Sequence, residues 1–211
     1  MATDRLRAAR AISIAVAAGG LVEMAAWWMG LEFLKTLAPG YVTMKFSTAL
    51  SFLLGGVVLY YLAEAARGEM SGAQVALPIS ALVILLLMAT LLVSALFGVE
   101  AGVEALFVRE DPSAAMTEVP GMPSIATMLD FILIAALAIA VLLRQRVLPW
   151  WFRSFGVFIA LTGLSALLGY LLGEPGLYFL MPGVSGAMAV PTSMLFVLTG
   201  TCLLIIAGSR R

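Results

Sequence analysis

Thr48-Ala49-Leu50-Ser51-Phe52-Leu53-Leu54-Gly55-Gly56 opens a run of about twenty apolar residues, enough for one helical crossing of a bilayer. The same opening, Thr-x-x-x-Phe, returns at Thr127 to Phe131 and at Thr192 to Phe196, each time at the head of another such run. Two of the remaining runs also match. Leu77-Pro78, fifteen residues and Ser94-Ala95-Leu96-Phe97-Gly98 recur as Leu148-Pro149, fifteen residues and Ser165-Ala166-Leu167-Leu168-Gly169. Helix pairs copied along a chain predict an all-α polytopic membrane protein of six spans, arranged as three repeated helical hairpins.

Composition agrees. Of 211 residues, 63% are hydrophobic and 11% charged, with mean hydropathy +1.08. Soluble domains carry roughly 25% charged residues, so most side chains here must face lipid or other helices. Six windows have the required length: about 11–31, 47–66, 76–98, 123–143, 152–172 and 189–208. They fill a single integral membrane domain, 1–211, and leave no length for an extramembrane catalytic domain. None alternates as a membrane strand would.

Lys and Arg set the expected orientation. Arg5, Arg7, Arg10, Arg67, Arg144, Arg146, Arg153, Arg210 and Arg211 fall on one side; Lys35, Lys45 and Arg109 fall on the other. Nine against three predicts both termini in the cytoplasm. The first run, with its basic start and Ala17-Ala18-Gly19-Gly20, continues past Trp28 and reads as a retained helix rather than a cleaved signal. Trp27, Trp28, Tyr60, Tyr61, Trp150 and Trp151 are expected at the two interfaces.

The loops between the hairpins are then outward: 32–46, 99–122 and 173–188. The second is the most acidic. Val99, Val103, Leu106 and Phe107 recur at helical spacing beside Glu100, Glu104 and Glu110, predicting a short amphipathic helix on the outer membrane surface. Its acidic residues lack the spacing of a calcium loop and are expected to be solvated.

The chain has no histidine, which removes the usual haem ligand, metal ligand and general base. Its one cysteine, Cys202, lies in the last run and reads as a small buried apolar residue. Neither lysine lies in a span, as a retinal linkage would require. No cofactor is expected.

Glu23 and Asp130 do fall within spans. A carboxylate at mid-bilayer costs about 2.5–3.5 kcal/mol on insertion scales, so each needs a donor or a proton. Trp27, four residues after Glu23, and Thr127, three before Asp130, are the local donors on the same faces. A proton-coupled or ligand-binding pair is one reading; polar contacts holding helices together is the other. Thr48, Thr127 and Thr192 are the remaining intramembrane polar candidates, expected to bond to carbonyls or across helices. Gly55-Gly56, Ala135-Ala136, Gly163 and Gly200 would let helices approach closely.

The stretch Leu34-Lys35-Thr36-Leu37-Ala38-Pro39-Gly40-Tyr41-Val42-Thr43-Met44-Lys45-Phe46-Ser47-Thr48-Ala49 resembles the N-terminal membrane module of bacterial PAS-linked sensor histidine kinases and diguanylate cyclases. The shared features are Pro39-Gly40, Met44-Lys45 and Thr48-Ala49, and later Met188-Ala189-Val190-Pro191-Thr192 with Phe196. Ser47 and Pro191 stand where the family pattern has Asn. The resemblance implies a multi-span input module. The family's PAS, kinase and cyclase domains have no counterpart in this sequence, so an input module without an output domain is expected.

Three functions are open. The first is a non-catalytic sensory module responding to a lipophilic molecule, such as a quinone, or to the membrane itself. The second is an accessory subunit packing laterally against other membrane subunits or its own copies. The third is a small transporter using Glu23 and Asp130. Lipids and membrane proteins are the expected partners; nucleic acid is not.

Overall fold

The computed structural model describes residues 2–37, 40–68, 73–99, 101–108, 110, 119–143 and 149–209. Among them lie seven α-helices: α1 (Ala2–Met29), α2 (Glu32–Thr36), α3 (Phe46–Ala66), α4 (Ala73–Phe97), α5 (Ile125–Leu142), α6 (Pro149–Leu172) and α7 (Val190–Ser209). A single 3₁₀ turn covers Pro175–Leu177, and the described residues contain no strand. All but α2 are long and apolar enough to cross a membrane. The shortest, α5, has 18 residues and reaches about 27 Å at 1.5 Å per residue, close to one hydrocarbon thickness.

Local chemistry sets the helix ends. Ser124 is the N-cap of α5 and accepts the Thr127 N–H at 3.2 Å. Pro149 begins α6 and Pro191 is the second residue of α7, positions whose N–H would have no helical partner.

Both described chain ends lie at one end of the bundle, where the Arg5 guanidinium donates to the Gly208 carbonyl at 3.3 Å. This terminal end also holds Arg10, which donates to Tyr60 Oη at 2.6 Å and lies 3.3 Å from the Glu64 carboxylate. The described residues of 30–45, 98–124 and 173–189 form the opposite, loop end.

Helices pack most closely as α1–α3, α6–α7 and α4–α5, and these pairs meet along α7–α1 and α3–α4. The α5–α6 seam is much thinner. In the centre, Phe52, Phe131 and Phe196, all fully buried, bring their ring centroids to 4.8, 4.8 and 5.1 Å of one another. The three Thr-x-x-x-Phe motifs therefore converge on one aromatic cluster. Thr48, Thr127 and Thr192 lie one turn nearer the loop end and are buried too.

The α1–α3 and α6–α7 crossings are built alike. A Cβ on Gly56 would come within 2.5 Å of the Ala17 nitrogen, and one on Gly200 within 2.6 Å of the Ala160 nitrogen. Gly20 lies against Ala49 and Leu53, and Gly163 against Ser193 and Val197. Backbones meet here because no side chain separates them, which is how helices gain van der Waals contact without a hydrophobic driving force. Aligning Leu77-Pro78 with Leu148-Pro149 puts Leu85 and Leu92 of α4 where α6 has Gly156 and Gly163. That substitution accounts for the wider α4–α5 pairing. Gly55, unlike Gly56, is open: a Cβ there would only touch Phe131 at 3.6 Å.

The loop end corrects two expectations. The segment 32–46 is not all loop but contains α2. Among the described residues 99 and 101–108 there is no helix, only turns, bends and irregular backbone, with Gly102 at φ +77°. The hydrophobic spacing there is overridden by side chains that bond back. Glu104 accepts from Ser94 and from the Ala101 N–H. Glu100, Arg109, Asp111, Glu118, Arg144, Arg146, Arg210, Arg211 and Pro39 lie outside the described residues.

Candidate functional site

The thin α5–α6 seam borders an apolar cleft. It has a volume of about 290 Å³ and opens between the two helices toward the bilayer face. Phe158, Leu161 and Thr162 of α6, Ala126 of α5 and the loop residues Leu177 and Met188 line it. Across the seam, Thr162 Oγ1 donates to Asp130 Oδ2 at 2.5 Å. Asp130 is fully buried, one turn deeper than Ala126 on the same helix, and its Oδ1 has no partner. Ser124 and Ser165 reach the cleft as well, but Ser124 Oγ is engaged with Thr127 Oγ1 at 2.8 Å. The walls are otherwise apolar.

Thr127 is therefore not the donor to Asp130; its hydroxyl and amide both serve the α5 cap. Helical spacing names only local neighbours, and the actual donor comes from another helix, 32 residues on. The same correction holds at Glu23. Trp27 Nε1 donates to the Met44 carbonyl at 2.8 Å instead. Glu23 is 6% exposed and its Oε2 has no partner. Glu23 and Asp130 serve different interfaces: α1 packs on α3 and α7, α5 on α4, α3 and α6.

Above the cleft, Tyr170 Oη donates to the Met188 carbonyl at 2.9 Å, and its ring stacks on Tyr178 at 4.0 Å. Trp27 makes the corresponding arrangement beside α3, with the Lys35 ammonium 4.2 Å over its ring. Lys35 and Lys45, which lie outside the spans, are both buried. Lys35 Nζ lies 2.5 Å from Glu32, and Lys45 Nζ lies 2.5 Å from Glu110 Oε1 with both side chains 3% exposed. Burial pushes the Lys45 ammonium below its ordinary 10.5, against the pull of Glu110. Glu110 is thus not a solvated loop residue. Burial pushes the Glu104 carboxyl up, but the Ser94 hydroxyl and nearby backbone amides outweigh it and hold the group below its ordinary 4.5.

No group of three His, Cys, Asp or Glu side chains is placed to hold a metal among the described residues. Cys202 is buried and its thiol faces the Ala9 carbonyl at 3.3 Å. The fold and site define an all-helical, multi-pass integral membrane protein with a lateral apolar cleft. No known family profile, curated protein or solved structure matches the chain.

Proposed function

We propose that this chain is a non-catalytic input module of the bacterial cytoplasmic membrane that binds a lipophilic molecule, such as a quinone, between α5 and α6. It is read as three repeated hairpins with both termini in the cytoplasm. The single observation that carries the reading is the unequal closure of the seams. α7–α1 and α3–α4 pack along their lengths, while α5–α6 has one cross-helix polar bond and a cleft of about 290 Å³ facing lipid. A ligand there contacts Phe158 and Leu161 of α6. α6 is in turn bound to α7 by backbone approach at Gly156 and Gly200, so a displacement of α6 passes to the inner end of α7. The alike crossings of α1–α3 and α6–α7 and the three converging phenylalanines support the repeat. The Arg5–Gly208 bond supports termini on one side, and the Arg excess on that side supports its being cytoplasmic.

Purification in native nanodiscs followed by mass spectrometry tests this. A lipophile other than bulk phospholipid, retained at near one per chain and lost in Leu161→Trp, is expected. Phospholipid alone in both proteins would remove the ligand from the reading.

The accessory-subunit reading rests on a different feature. A shallow apolar groove on the lipid side of α4, floored by the small side chains Ala89, Thr90 and Ser94, suits a partner helix. Stoichiometric copurification with another membrane subunit would favour it.

A further inference from the structure

Asp130 is short of hydrogen-bond donors. It is fully buried in α5, its Oδ1 has no partner, and its Oδ2 has the Thr162 hydroxyl at 2.5 Å. That hydroxyl has one proton, and the Ile159 carbonyl also lies 2.8 Å from it. One proton therefore serves two oxygens, and a third, Oδ1, receives none. α5 holds no lysine or arginine, and the one on α6, Arg153, lies more than two turns from Thr162. The other polar groups of the cleft do not make up the deficit. Ser165 Oγ donates to the Leu177 carbonyl at 3.3 Å, and Ser124 Oγ is engaged with Thr127. Ser124 also stands about 9 Å nearer the loop end than Asp130. Tyr178 belongs to the loop end as well, where its ring stacks on Tyr170.

The internal repeat ties this polar pair to the open seam. At the position of Asp130, α3 has Ser51 and α7 has Leu195; at the position of Thr162, α4 has Leu91. Leu195 fills the gap at Gly19 of α1, where a Cβ would lie 2.7 Å from Leu195 Cδ2, and Leu91 is fully buried. The closed α7–α1 and α3–α4 seams thus each carry a leucine at this level. The seam that carries an acid and a hydroxyl instead is the one with a cleft beside it. An acceptor buried at bilayer depth without a donor is costly, because no bulk water is there to supply one.

We propose that the cleft recognises a lipophile bearing a hydroxyl group, of the phenol or hydroquinone class, whose O–H donates to Asp130 Oδ1. This rests on the reading of the cleft as a ligand site and narrows its ligand to the hydroxylated form. A quinone carbonyl only accepts, and would bring another oxygen to a place where three already compete for one proton. Thr162 forms part of the cleft wall and Asp130 lies next to it. The hydroxyl therefore reaches Oδ1 by parting the seam at this pair, while the apolar body rests on Phe158 and Leu161. Entry separates α6 from α5 at the polar bond that joins them.

The test uses the full chain in nanodiscs with three probes: para-octylphenol, its methyl ether, which lacks the proton, and para-octylacetophenone, which can only accept. Retention over protein-free nanodiscs is read by mass spectrometry. The phenol should be retained about tenfold more than the ether or the ketone, the effect of one net hydrogen bond. Asp130→Leu should abolish that preference. Thr162→Val, which leaves the acid in place, should keep it. Equal retention by the wild-type chain, a preference for the ketone, or a phenol preference that survives Asp130→Leu would overturn the proposal. Should Asp130→Leu not fold, Thr162→Val decides: loss of the preference there would place the recognition on Thr162 and overturn it. Leu161→Trp separates this proposal from the reading beneath it. Equal retention of the three probes that Leu161→Trp abolishes defeats the hydroxyl and leaves the cleft as a site. Retention indifferent to Leu161→Trp defeats the site itself.

Discussion

Thr162 Oγ1 bonds Asp130 Oδ2 at 2.5 Å across the thin α5–α6 seam, joining α6 to α5 beside the cleft. The same hydroxyl lies 2.8 Å from the Ile159 carbonyl of its own helix, so its single proton is shared between its own helix and the other. Removing it leaves the carboxyl buried without a donor. Thr162→Val should lower stability by about 1.5–3 kcal/mol, the range for a bond to a group that carries charge or shares a proton. Asp130→Leu/Thr162→Val, which removes both partners, should lie closer to wild type than Thr162→Val alone. Unfolding in nanodiscs, read by tryptophan fluorescence, gives both values.

The central phenylalanines give a packing test. Phe131 is fully buried against Phe52 and Phe196. Phe131→Ala should cost about 3–5 kcal/mol, and Phe131→Leu markedly less. Equal losses for the two would mean that the aromatic contacts themselves, and not the filled volume, carry the stabilisation.

The helix crossings separate two neighbouring glycines. Gly56→Ala forces a Cβ into the Ala17 backbone and should destabilise by about 1–3 kcal/mol. Gly55→Ala adds only an ordinary contact with Phe131 and should be nearly neutral. Sequence composition alone treats the two as equivalent; only the facing helix distinguishes them.

At the loop end, Glu104 provides a pH test. Its carboxyl is held below 4.5, so its contribution to folding is fully present above about pH 4.5 and is lost as pH falls through the folded value. Ser94→Ala removes the hydroxyl donor and should move the midpoint of the Glu104 carboxyl upward. A carbon-13 titration of that side chain measures the shift; an unchanged midpoint would place its stabilisation in the backbone amides alone.

The six spans were legible because length and hydropathy suffice for them, and helix ends fell within a few residues of the predicted windows except at the start of α1, which begins at Ala2 and not near residue 11. The motif stretch 34–49 was legible as distinctive, but not why. Met44 offers its carbonyl to Trp27 and Lys45 receives Glu110, a residue 65 positions away. No local spacing encodes such a pair. The amphipathic helix failed for a related reason: Glu104 turns back to Ser94 and Ala101, and backbone satisfied that way does not need a helix. The cleft was invisible altogether, since it exists because two helices do not quite close.

The charge asymmetry gives an independent test of topology. Changing Arg144 and Arg146 to Glu should disturb insertion, and a reporter fused after residue 146 should lose its cytoplasmic signal or its yield. Full cytoplasmic signal would mean that other segments fix the orientation.

The occupant of the α5–α6 cleft is read most directly by a photoreactive amino acid placed at Leu161 in living cells, with Leu82 on the lipid face of α4 as the reference position. Irradiation and mass spectrometry should yield a discrete lipophile attached at Leu161 and bulk phospholipid at Leu82. The same mixture of phospholipids at both positions would contradict a ligand site between α5 and α6.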